Sequence, residues 1–129
     1  MHVELRPIES VKPYEKNPRK NDGAVDAVAA SLREYGFRQP IVVDKDGVIV
    51  VGHTRWKAAK KLGLAQVPVH VASELTDAQA KAYRLCDNQT ATISEWDFEL
   101  LHVEIDELKA LDVDIDLLGF DEAEMTEIM

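Results

Sequence analysis

Four consecutive residues, Gly52-His53-Thr54-Arg55, concentrate the chemistry of this 129-residue chain. They follow a β-branched run, Val48-Ile49-Val50-Val51, and open an Ala- and Lys-rich stretch that closes at Gly63. A strand that feeds a helix through a glycine leaves backbone N–H groups unpaired at the helix start, and those groups favour an anion. Gly52 lets the backbone approach a ligand closely, and Arg55 offers a planar, permanently charged fork that suits phosphate. Thr54 stands in the same first turn. His53 is open to three roles: contact with phosphate, acid or base work, or capping of the helix. Asp87 and Asn88 form a second group. A carboxylate beside an amide suits Mg²⁺ next to phosphate, because that ion takes oxygen ligands and keeps waters; two polar residues that finish a helix need no metal. In a third group, Asn17-Pro18-Arg19, each proline of the surrounding loop holds the preceding residue extended, which presents Asn17 and Arg19 at fixed positions. An ordinary turn has the same composition.

Other chemistries lack their residues. The Gly-x-x-x-x-Gly-Lys spacing of a Walker loop and the glycine triplet of a Rossmann turn are missing. His2, His53, His70 and His102 lack the spacing of a zinc site, and the single Cys86 can neither build a thiolate cluster nor form an internal disulfide. No Ser–His–Asp arrangement and no spaced carboxylate pair for sugar cleavage is evident. Cys86, beside Leu85, reads as a small helix or core residue rather than a nucleophile.

The elements that must position these groups follow from periodicity. Val3 and Leu5 alternate with polar residues in a short first strand at a sheet edge. A helix over residues 22–35 carries Val25, Val28, Ala29 and Leu32 on one stripe, with Asn21 or Asp22 as its cap and Gly36 at its end. Gln39 and Pro40 lead into the strand Ile41-Val42-Val43. Asp44-Lys45-Asp46-Gly47 is a hairpin turn, and the return strand over residues 48–51 delivers Gly52 to the edge of the layer. A helix spans residues 53–62, and a further strand spans 67–71, where Pro68 favours an edge or a strand start. Thr76 and Gln79 form a capping box for a helix that runs to about Asp87, with Ala78, Ala82 and Leu85 along one face and Ala80 and Tyr83 beside it. Asp87-Asn88-Gln89 then falls at or just past the helix end. Ser94 with Asp97 caps another helix to about Ala110, with Leu101, Ile105 and Leu108 on its stripe. Residues 112–120 alternate acidic and apolar types and read as an extended cover over an apolar surface. A short acidic segment follows from Asp121.

Composition bounds the rest. The chain is 46% hydrophobic and 30% charged, which fits one domain of 1–91 with a helical, acidic extension of 92–129 packed on it. Net charge is −9, but residues 1–63 hold 12 Lys+Arg against 8 Asp+Glu, and residues 64–129 hold 3 against 16. A basic front half permits local anion binding; the acidic rear half is a solubilising surface or a partner surface. No apolar run is long enough to span a membrane and the N-terminus has no signal-peptide core, so a cytoplasmic location is expected. Met129 follows directly on a helix-like segment, as in a fragment of a longer protein.

The fold class read from these elements is α+β, a small mixed β-sheet packed with helices. The order and spacing of Asn17-Pro18-Arg19, Gln39-Pro40-Ile41-Val42-Val43, Gly52-His53-Thr54-Arg55-Trp56-Lys57-Ala58-Ala59 and Asp87-Asn88-Gln89 resemble the ParB-like N-terminal domain of the ParB/sulfiredoxin superfamily, also called the ParB-like nuclease domain. The likeness covers residues 3–91, and residues 75–120 look like phage and mobile-element members associated with DNA methyltransferases. The resemblance implies a nucleotide site. Gly52 and Arg55 match its phosphate-binding turn, Asp87 and Asn88 match a nucleotide and Mg²⁺ segment, and Asn17, Arg19, Gln39, His53 and Thr54 fall in its matching stretches. It implies CTP, or ATP/ADP, as the nucleotide. Thr54 stands where partition proteins have a second arginine and His53 where they have an acidic residue, which weighs against CTP hydrolysis and clamping. The cysteine that sulfiredoxin-like members carry in this turn is absent. No element that reads specific DNA is evident after residue 91. Three functions follow as expectations: a Mg-nucleotide-binding domain of a DNA-associated protein; a metal-dependent nuclease with His53 and Asp87 as catalytic groups; and a non-catalytic adaptor for a DNA methyltransferase.

Overall fold

The computed structural model describes residues 1–17, 20 and 22–129. Arg19, Pro18 and the cap candidate Asn21 lie outside the described residues. Four strands form one mixed sheet in the order β1-β4-β2-β3. β1 (Glu4–Pro7) is the expected edge strand and runs antiparallel to β4 (Gln66–Val71), from Glu4 opposite Val69 to Pro7 opposite Gln66. β2 (Ile41–Val43) is parallel to β4, pairing Ile41 with Val69, and antiparallel to β3 (Ile49–Val51). The hairpin turn holds as read: Gly47 takes φ 82°, and Asp44 Oδ1 accepts from the N–H groups of Asp46 at 2.9 Å and Val48 at 3.0 Å.

The edge reading of Pro68 is corrected. β4 lies inside the sheet, and Pro68 is accommodated because pairing to β2 begins one residue later, at Val69. Alternating residues Val67 and Val69 are fully buried and meet Ile41, Val43 and Ile49 in the core, with Ile8, Val11 and Ala59 around them.

α1 (Asp22–Tyr35) and α2 (His53–Lys61) pack against each other. Ala58 and Ala59 of α2 are completely buried, so small side chains let that helix lie close to the sheet. Lys57 and Lys61 reach back to Asp22 and Asp26 of α1. These exposed pairs fix register more than they stabilise.

α3 (Asp77–Ile93) begins at the predicted capping box, with Thr76 Oγ1 accepting from Gln79 N–H at 3.1 Å and Gln79 Oε1 accepting from Thr76 N–H at 2.9 Å. Its length and its face both differ from expectation. It continues to Ile93, because no glycine or proline stops it and the backbone turns extended only at Ser94, so Asp87, Asn88 and Gln89 are helical. Its inward face is Ala80, Arg84, Asp87 and Asn88, while Leu85 is exposed. Packing on a polar site has overridden the apolar periodicity. Ser94 therefore ends α3, and Asp97 caps α4 (Phe98–Ala110), accepting from Leu100 N–H at 3.2 Å. Leu101, Ile105 and Leu108 form the expected inner stripe, with Ile105 buried. The segment expected to be extended is a 3-10 turn, Ile115–Leu118, because Asp114 caps it; this turn packs on α1. α5 (Glu122–Ile128) has its own capping box, Asp121 with Glu124. No described helix is long and apolar enough to cross a membrane.

Candidate anion-binding site

The site starts where β3 becomes α2. Gly52 is the residue before the helix and takes φ 109°, ψ 26°, a conformation that L side chains avoid. A β-carbon there would lie 3.3 Å from Ile41 Cγ1, so the glycine serves both the turn and its close approach to β2. No side chain caps this helix start and no acidic residue occupies its first turn, so the positive end of the helix is not neutralised from within.

A cavity of about 290 Å³ opens at this turn. Gly52, His53, Thr54 and Arg55 line it from α2, Asp87 and Asn88 from α3, and Asn17 from the N-terminal loop. The structure thus brings together seven of the residues singled out in the sequence. Gln39 stands apart from this cavity: its Oε1 accepts from Arg55 Nη2 at 2.5 Å, and it lines a neighbouring groove of about 430 Å³ under Leu117, Leu118 and Gly119. Arg55 borders both spaces. Arg19 falls outside the described residues.

His53 has a specific bond. Its Nε2 accepts from the backbone N–H of Tyr14 at 3.1 Å, which ties the N-terminal loop to the start of α2. That bond requires a neutral ring with its proton on Nδ1. Burial pushes the His53 pKa down to about 4, and the positive charges of Arg84 and Lys57 push it the same way. The geometry shows a role outside the three left open for His53: it anchors the N-terminal loop, with Nε2 already engaged.

Asp87 and Asn88 lie half-buried on the inward face of α3. Asn88 Nδ2 donates to Arg84 O at 3.0 Å, one helical turn back. Among the described residues no group of three or more His, Cys, Asp or Glu is placed to hold a metal ion. A single carboxylate with an amide is too few for a closed metal cage, but it is a usual donor set for Mg²⁺ when phosphate and water supply the remaining oxygens.

Two residues around the site escaped the sequence reading. Arg84 is buried, donates through Nε to Ile49 O at 2.9 Å, pairs through Nη2 with Asp44 Oδ2 at 3.2 Å, and stacks over the Tyr14 ring at 4.0 Å. Tyr14 carries both that stack and the bond to His53. The available signal was the i, i+4, i+7, i+8 recurrence of Ala80, Arg84, Asp87 and Asn88, a polar face that competes with the apolar one.

Comparison with known proteins agrees with this architecture. The model of the ParB N-terminal domain matches residues 2–89, and that of the ParB-methyltransferase HTH domain matches residues 99–129. The second match finds a likeness to a helix-turn-helix module where none was evident in the sequence; it spans most of α4, the 3-10 turn and α5. The chain is 35% identical over 80 residues to the ParB-like nuclease domain-containing protein YnaK of Escherichia coli K12, covering 61% of this chain and 92% of that protein. It is 36% identical over 87 residues to the chromosome-partitioning protein Spo0J of Thermus thermophilus, covering 64% of this chain but only 32% of that protein. Among solved structures, it is similar to a C-terminally truncated chromosome-partitioning protein ParB from Caulobacter crescentus complexed with CTP-gamma-S. That match has a TM-score of 0.71 at 25% identity and covers 84% of this chain and 63% of the other. Sulfiredoxin from Arabidopsis thaliana matches with a TM-score of 0.54 at 25% identity, covering 64% of this chain and 97% of the other. With the family model spanning more than half its length, the chain belongs to the ParB N-terminal domain family.

Proposed function

We propose that the chain binds a nucleotide by its phosphates in the cavity at Gly52, with Mg²⁺ held between those phosphates and Asp87 with Asn88. The observation that carries this is the convergence of an uncapped helix start, the Arg55 guanidinium and the Asp87 carboxylate on one cavity. The CTP-gamma-S complex of the similar Caulobacter protein makes CTP the first nucleotide to test, with ATP and ADP next. Asp87 and Asn88 would hold Mg²⁺, which would supply charge neutralisation at the phosphates. Arg55 orients the phosphates, Asn17 and Thr54 border them, and Gln39, bonded to Arg55, extends the site from a flanking segment. A nucleotide with Mg²⁺ at 100 times its dissociation constant stabilises the fold by about 2.7 kcal/mol. Thermal melts with CTP, ATP, ADP and GTP should show this shift for at least one nucleotide, and Arg55→Ala should abolish it. No shift with any of the four overturns the proposal.

The same geometry favours binding over DNA cleavage. A nuclease must activate water at the scissile phosphate. The cavity offers one carboxylate, Asp87, and His53 already uses Nε2 to hold Tyr14. Metal-dependent cleavage of DNA by the purified protein, lost in Asp87→Ala, would reverse this preference.

The setting we infer is a DNA-associated ParB-like protein of the phage or mobile-element type, with a ParB-like domain to about residue 91 and a helical, acidic extension after it. The match at residues 99–129 to a ParB-methyltransferase module favours a methyltransferase partner. Those residues carry 11 Asp+Glu against the single Lys109, a surface that repels phosphate backbones. DNA would then be met by the basic front half or through the partner. Co-purification with a DNA methyltransferase that survives Arg55→Ala supports this adaptor role.

A further inference from the structure

We propose that Arg84 is a positioning residue of the anion site: from α3, its guanidinium fastens two other elements that wall the cavity, the N-terminal loop and the β2–β3 hairpin, although it lines no part of it. This rests on the nucleotide-binding reading above. The first element is the N-terminal loop that carries Asn17; Arg84 stacks on its Tyr14 ring at 4.0 Å. The second is the β2–β3 hairpin, which delivers Gly52. Arg84 grips it at both ends, through Asp44 Oδ2 at 3.2 Å and Ile49 O at 2.9 Å. Asp44 is itself fixed by the N–H groups of Asp46 and Val48. Both are held from α3 itself, where the Arg84 backbone carbonyl accepts from the Asn88 side chain one turn further on.

The link reaches the reactive turn through one more bond, from Tyr14 N–H to His53 Nε2. Loop, turn and helix are therefore indexed to one guanidinium. Burying such a group is costly, and an ion pair of this kind is weak evidence for stability. Its five N–H donors in a rigid plane meet a carbonyl, a carboxylate and a ring face at once, which a lysine cannot do. The same charge also helps hold His53 neutral.

Arg84→Lys keeps a charge beside Asp44 and loses the fork. Arg84→Met keeps the length and loses the charge. Both are compared with the wild-type chain by circular-dichroism melting, by calorimetric titration with Mg·CTP and Mg·ADP where each is folded, and by NMR of the His53 ring nitrogens and of Tyr14 amide exchange. The wild-type protein should show one Nδ1–H tautomer and a protected Tyr14 amide. Arg84→Lys should fold, bind nucleotide at least tenfold more weakly, exchange the Tyr14 amide at least tenfold faster and populate both tautomers. Arg84→Met should in addition raise the pH at which His53 titrates. A purely structural staple would lower the melting temperature and leave the affinity of folded protein, the tautomer and the amide exchange unchanged; that result overturns the proposal. If the wild-type chain binds neither nucleotide, the binding reading fails, and the tautomer and exchange measurements still decide whether Arg84 sets these positions.

Discussion

α2 and α3 both wall the cavity, but they do so in opposite ways. α2 contributes its end: the Gly52 turn and the uncapped first turn up to Arg55 line the space, and five or six adjacent residues suffice. α3 contributes its flank. Asp87 and Asn88 face the cavity because Arg84 and Ala80 pull that face inward against the hairpin. The first contribution is local, and the second is decided by residues 35 or 40 positions away. A motif can be recognised from its own letters when its geometry is made by its own letters.

The contrast can be broken, and the largest effect should come from the shared floor. Ile41 is fully buried and lies against Gly52, so Ile41→Ala should cost about 2–5 kcal/mol in urea unfolding and loosen both walls. Gly52→Ala should cost about 2 kcal/mol, from the positive φ and the contact with Ile41. A cost near zero would show that the turn relaxes easily and that the α2 side is not rigidly made.

The His53 anchor between the walls is read through pH. Its folded pKa lies near 4, below the ordinary 6.5, so the unfolded chain binds the extra proton between those values. Stability should therefore fall as pH drops from 6.5 to 4. The ring is only half-buried, so solvent screening reduces the effect to about 1–2 kcal/mol. The measurement is the difference between the wild-type chain and His53→Gln in urea melts across that range, because carboxylates titrate in both. The smallest effect belongs to Leu85→Ser. Leu85 is 55% exposed, so the change should stay within about 0.5 kcal/mol. A loss of 2 kcal/mol would return the apolar face of α3 to the core and sink the account of how Asp87 and Asn88 reach the site.

Most strands and helix starts were legible from sequence because their causes are near neighbours. The hairpin needs Asp44 and Gly47, and the start of α3 needs only Thr76 and Gln79. The interior place of β4 was not, since it depends on β1 arriving from more than sixty residues upstream. The length of α3 was missed for want of a stop signal, and its face because three inward polar residues lost to an apolar count. The turn at Ile115–Leu118 was missed because Asp114 caps it within an alternating pattern that reads as extended. The site was legible at Gly52, Arg55, Asp87 and Asn88 as residue types. That they meet, and that Tyr14 and Arg84 hold them together, is a property of packing alone.

Arg55 stands in the partition between two compartments, bonded to Gln39 on one side and bordering the Gly52 cavity on the other. One cation thus stands between two adjoining rooms. An anion that recruits the guanidinium on the α2 side takes it from Gln39, and the groove beneath Leu117 and Leu118 then loses that charge. A negative group held by Arg55 in one space would leave less of that charge for a group in the other.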